Sequence, residues 1–91
     1  MSTTEIQKYL QDHKIYAEVG ENSKDEIVVY IEWGDWKHSH LYCVKLLEKQ
    51  GYKHVWEEVE EDDGSDTYSA YHYFEKPENA NSTLQNEEKC V

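Results

Sequence analysis

Arginine is absent from this 91-residue chain: all nine basic residues are lysines, set against twenty acidic residues, for a formal charge of −11. Without the planar guanidinium fork that clamps phosphates and base edges, and with a net field that repels polyanions, direct binding of DNA or RNA is excluded. An anionic membrane surface is excluded by the same repulsion. No apolar run approaches the roughly 20 residues of a membrane span, and the polar start MSTTEIQKYLQDHK lacks the apolar stretch of a signal peptide. Proline occurs once and glycine four times, and no G-x-G-x-x-G turn, Walker loop or G-x-S-x-G elbow is present. The two cysteines, Cys43 in a candidate helix and Cys90 next to last, build no disulfide framework and point to a reducing, cytoplasmic setting. Cys90 also lacks the three following residues of a prenylation box.

What is present is enough for one small domain and a tail. PENANSTLQNEEKCV has no aromatic residue, and its large aliphatics are Leu84 and Val91, so burial cannot offset the entropy of ordering it. Residues 77–91 are therefore expected to be a disordered polar tail. Within it, Asn81-Ser82-Thr83 matches a glycosylation sequon, idle without a secretion signal. Residues 1–76 hold every aromatic: three Trp, eight Tyr and Phe74. A domain of this size buries only about 60 % of its unfolded surface, and large rings raise the area buried per residue. A plain core role accounts for most of them.

Periodicity orders the elements as helix, strand, strand, helix, strand, strand. Capping-box patterns Ser2/Glu5 and Thr4/Gln7 precede Ile6, Tyr9, Leu10 and His13 at helical spacing, which predicts a helix over about Thr4 to His13. Ile15 to Val19 alternates as a strand, and Glu26 to Trp33 as a central strand with Ile27, Val29, Ile31 and Trp33 on one face. Asp35 is a suitable N-cap for a second helix ending at Gly51, with Trp36, His40, Cys43, Val44 and Leu47 on its apolar face. YKHVWEEVE and TYSAYHYFE then read as strands joined through EDDGSD, with Gly64 at the bend. The fold expected is α+β: a two-layer sandwich with one four-stranded, mainly antiparallel sheet and both helices on one face.

The densest charge is Glu57, Glu58, Glu60, Glu61, Asp62, Asp63 and Asp66, seven carboxylates in ten residues without a base. In an extended strand that is one charge per roughly 5 Å, sparser than duplex DNA, so a DNA-like surface would need Glu18, Glu21, Asp25, Glu26, Glu32 or Asp35 beside it. The structural alternative is a solvated hairpin whose charges guard an exposed strand against edge pairing. EEDDGSD does not meet the spacing of an EF-hand loop.

Asp35-Trp36-Lys37-His38-Ser39-His40 holds a second group of potential ligands. On a helix His38 and His40 point roughly 200° apart and cannot share an ion. A metal or hydrolytic site built on Asp35, His38 and His40 would therefore draw on Asp66 or His72. Nucleophiles are poorly placed: Cys43 sits on the apolar helix face, where burial silences it, and Ser69 and His72, three apart on a strand, face opposite sides.

A small, acidic, arginine-free, aromatic-rich domain resembles the phage and plasmid inhibitors of nucleic-acid enzymes and the immunity proteins that neutralise basic nucleases. Charge and size carry the resemblance, which covers no alignable stretch. The leading expectation is a non-catalytic, cytoplasmic module without a cofactor, an inhibitor or nucleic-acid mimic. Its 57–66 hairpin would engage a basic protein surface such as that of a nucleic-acid-binding protein, with Tyr30, Trp56 and Tyr68 as anchors. Its rivals are the metal or hydrolytic site above and a homodimer formed through an open sheet face or edge.

Overall fold

Ser2 and Glu5 form the capping box that their spacing predicts: the Ser2 hydroxyl accepts from the Glu5 N–H at 3.1 Å, and the Glu5 carboxylate accepts from the Ser2 N–H at 2.7 Å. In the computed structural model, which describes residues 1–77, this box opens helix α1 (Thr3–Asp12). The alternative pair is not used, because the Gln7 side-chain oxygen accepts from the Val19 N–H at 3.2 Å and ties α1 to the first strand.

Strand β1 is Glu18–Glu21, not Ile15 to Val19. Ile15 and Ala17 are buried all the same, but from the connection that turns at Lys14 (φ 67°), because pairing with β2 begins only at Glu18 opposite Tyr30. Alternation reported which side chains face inward, and not which backbone groups are paired. Strand β2 (Ile27–Asp35) sends Ile27, Val29 and Ile31 into the core as expected. Trp33 departs from the expected face. The register slips between Ile31 and Gly34, Trp33 takes φ 52° and gives its N–H to the Ser69 hydroxyl at 3.0 Å, and its ring is left 44 % exposed. A bulge inserts extra residues and so breaks the alternation of faces.

Asp35 caps the next element, accepting from the His38 N–H at 2.7 Å. That element begins as a π-helical turn (Trp36–Leu41) before becoming helix α2 (Tyr42–Lys49), with Gly51 in the left-handed region (φ 93°) just beyond it. Strands β3 (Lys53–Asp62) and β4 (Thr67–Glu75) complete the sheet.

The sheet order is β1-β2-β4-β3, and every neighbouring pair is antiparallel. Strand β4 thus lies between β2 and β3, and the π-turn and α2 cross over it. Both helices cover one face, where Ile6, Leu10, Val29, Leu47 and Phe74 are fully buried in one cluster. Each such side chain contributes about 1.5–3 kcal/mol. The Tyr9 hydroxyl donates to the Leu46 carbonyl at 3.2 Å and links the helices across that layer. The expected tail, 77–91, lies outside the described residues apart from Pro77. Among the described residues no helix is long and apolar enough to cross a membrane.

Candidate functional site on the third and fourth strands

Strands β3 and β4 carry both the acidic run and two of the five histidines, toward opposite ends of one hairpin. At the tip, the carboxylates divide by role. Asp62 accepts from the Gly64 N–H at 2.7 Å, and Asp63 accepts from the Ser65 N–H at 2.8 Å and from the hydroxyls of Ser65 and Thr67. These bonds, that from Thr67 above all, pull the Asp63 carboxyl down to about 2. Asp66 turns the chain (φ 73°), and its carbonyl accepts from the Trp36 N–H at 3.1 Å. Glu58, Glu60, Glu61 and Asp66 are exposed and form no salt bridge among the described residues, whose lysine pairs are Lys8–Asp12 and Lys76–Glu21. The local field is visible in the Tyr68 hydroxyl, whose pKa is raised by Asp62 first, then by burial, with Asp66 and Asp63 adding. Glu18 and Glu21, two acids that a DNA-like surface would recruit, lie on β1 at the opposite edge of the sheet. Three strand spacings, roughly 14 Å, separate them from β3.

The expected aromatic anchors also divide. Trp56 is opposite Tyr73 on the uncovered face and is 63 % exposed, and Tyr30 lies on that face against Tyr71 with ring centroids 4.6 Å apart. Tyr68 is on the helix-covered side, edge-on to Trp36 at 5.1 Å.

At the base, the five residues considered for a metal site do not assemble. His38 is exposed, the Asp35 carboxylate caps the π-turn, and Asp66 lies in the tip connection. His40 and His72 do meet: both are fully buried, His40 stacks on Trp36 at 5.0 Å, and the two rings share a hydrogen bond of 2.8 Å between His40 Nδ1 and His72 Nε2. Gly34 makes this approach possible. A Cβ there would fall 2.7 Å from Ile31 Cγ2 and 2.9 Å from Ser39 Cβ, so only glycine lets the π-turn close on β2.

Hydrogen-bond direction fixes the tautomers. The Tyr68 carbonyl can only accept, so His40 Nε2, 2.9 Å away, carries a proton. Burial lowers the pKa of His40, and burial together with the neighbouring His40 and His54 drives His72 down to about 3, so both rings are neutral. A neutral His40 then accepts at Nδ1, His72 donates from Nε2, and His72 Nδ1 is left as a lone pair. Two groups face that lone pair from β3: His54 Nε2 at 3.4 Å and Glu57 Oε1 at 3.8 Å. Among the described residues, His54, Glu57 and His72 are the one group whose ligand-type atoms gather in this way.

His54 was not among the residues picked out by sequence, and the reason is geometric. Three residues apart on a regular strand, His54 and Glu57 would face opposite sides. The register shift leaves Val55 unpaired, so that His54 is opposite Phe74 and Glu57 opposite His72, on one face. Glu57 belongs to the base, although its sequence position groups it with the tip.

Two of the candidate nucleophiles are held in other roles. The Cys43 thiol is pushed up to about 12 by burial, and the Ser69 hydroxyl is engaged by the Trp33 N–H. Compared with known proteins, the chain matches no family model, no curated protein and no solved structure.

Proposed function

We propose that the protein is a non-catalytic binding module of the cytoplasm, an inhibitor by charge, that engages a basic protein surface through the tip of the β3–β4 hairpin. The observation that carries this reading is the combination at β3: Glu58, Glu60 and Glu61 have no lysine partner among the described residues, and Trp56 beside them is 63 % exposed. Unpaired carboxylates keep their long-range field and steer an oppositely charged surface. An exposed Trp adjoining them supplies the desolvated contact that holds a complex once formed. The tip works through side chains. The bulges of β3 at Val55 and Glu60 and the like charges of the tip oppose the addition of another strand at the β3 edge, which also argues against a homodimer there. The nucleic-acid-binding proteins are the partner class whose surfaces carry the required positive charge, and the buried thiol of Cys43 suits a reducing compartment.

The test is capture of proteins by the immobilised full chain at low salt, repeated at rising salt and with Trp56→Ala. Basic proteins released steeply by salt and lost in the variant support the reading. Capture confined to neutral or acidic proteins, or indifferent to salt, overturns it.

A further inference from the structure

We propose that His54, Glu57 and His72 bind a tetrahedral divalent transition ion, and that zinc is the ion their spacing fits. The three ligand atoms are separated by 3.4, 3.7 and 3.8 Å. The first is a long hydrogen bond between His54 and His72 and the other two are beyond hydrogen-bond length, so the Glu57 carboxylate is not hydrogen-bonded to either ring. One side of the triangle joins two acceptors, the His72 Nδ1 lone pair and the Glu57 carboxylate, which repel each other unless a cation lies between them.

The same lengths suit one ion. The point in the plane of the three atoms that is equidistant from them lies about 2.1 Å from each, within the range of zinc–nitrogen and zinc–oxygen bonds, and a slight closing of the triangle would lift the ion out of that plane toward a fourth ligand. Ligands at about 2.05 Å are roughly 3.3 Å apart at a tetrahedral angle and roughly 2.9 Å apart at an octahedral right angle. The observed sides are longer than both and nearer the tetrahedral value, which they reach by closing about 0.3 Å on average, whereas an octahedral iron or magnesium centre would need about 0.7 Å. Two imidazoles and one carboxylate are likewise a poor set for calcium or magnesium, which take oxygen ligands.

The shell behind the triangle is organised as metal-binding histidines require. His72 gives its Nε2 proton to His40, which gives its own to the Tyr68 carbonyl, so Nδ1 is held unprotonated and its ring cannot turn. Access comes from β3: the His54 and Glu57 side chains are 21 % and 38 % exposed, whereas His72 is fully buried. Three protein ligands leave a fourth position for water or an outside donor.

The experiment titrates the full chain, stripped with a chelator, with zinc alone. One ion per chain is expected to bind, and the affinity should fall by about 100-fold or more in His54→Ala and in Glu57→Gln, while the exposed-surface control His38→Ala binds as the parent does. Far-UV circular dichroism of the metal-free variants establishes that they are folded. With cobalt in place of zinc, the intense visible bands of a tetrahedral centre should appear in the parent and not in His54→Ala. Nitrogen NMR of the zinc form should show His72 bound through Nδ1 with Nε2 still protonated. Absence of zinc binding, or zinc bound equally well by His54→Ala, overturns the assignment.

Discussion

The two ends of the β3–β4 hairpin solve opposite problems with neighbouring residues. At the tip, Glu58, Glu60, Glu61 and Asp66 crowd negative charge together and meet no lysine among the described residues. At the base, Glu57 and three histidines are arranged so that nearly every polar atom has a direction and a distance. Charge alone attracts attention to the tip, but charge in water is cheap to rearrange, and such groups specify little beyond a field. At the base, His40 and His72 are buried, where an unpaired donor or acceptor costs about 1–3 kcal/mol, so their geometry is enforced. Density of charge sets a field at the tip; precision of placement sets a geometry at the base.

His40→Ala should break the base most severely. It removes the ring stacked on Trp36 and leaves the Tyr68 carbonyl and the His72 Nε2–H without partners, in addition to opening a cavity. A loss of about 3 kcal/mol in urea denaturation is expected. A loss below about 1 kcal/mol would mean that the base is no better organised than the tip.

Gly34→Ala tests the His40 packing from the β2 side. The new methyl would press on Ile31 and Ser39, where overpacking typically costs about 1–3 kcal/mol. We expect roughly 2 kcal/mol in the same measurement, because the π-turn must lift off β2 and carry His40 with it. The tip should respond in the opposite sense. Replacing Glu58, Glu60 and Glu61 together by glutamine removes mutual repulsion and no contact, so stability should stay within about 0.5 kcal/mol of the parent or rise. The salt dependence of partner capture should flatten markedly. A triple variant that unfolds, or one that binds with the parent's salt dependence, would erase the distinction between the two ends.

Sequence carried the parts of this molecule that depend on local patterns. Ser2 and Glu5 name their helix end, Thr67–Glu75 is bounded as its composition suggests, and the core face of β2 follows its alternation as far as Ile31. It did not carry the features that depend on a neighbouring strand. The slips at Trp33, Val55 and Glu60 exist only as a mismatch of register between two chains of backbone. The second of them brings His54 and Glu57 to one face, and a rule valid for a regular strand hides that pair. The π-turn was illegible for a related reason: Asp35 announces a helix start, but the widened turn that follows is held by tertiary contacts of Trp36 and His40. His40 and His72 are legible as candidates; Asp35 and His38 join them by sequence proximity and Asp66 as a ligand from the last hairpin, and neither reason measures distance.

The smallest effect concerns Asp63, a tip residue that behaves like one of the base. Its carboxyl is held down to about 2 by hydrogen bonds, chiefly from the Thr67 hydroxyl and then from Ser65, against an ordinary value of 3.8. A folded-state pKa below the unfolded one means that the unfolded chain binds the proton first, so the stabilisation is complete above about pH 5 and is lost as the pH falls through 4 toward 2. The whole-protein profile will not isolate this, because it mixes every acid-dependent contribution to stability. The difference between the parent and Asp63→Asn does isolate it, since the other carboxylates are common to both. That difference, measured by urea denaturation from pH 5 to pH 2, should favour the parent at the upper end and shrink steadily as the pH falls through 4. A difference independent of pH would show that the connection is held by the shape of the turn and not by the charge on Asp63. The tip would then be, throughout, a region where charges are displayed and none is employed in holding the chain together.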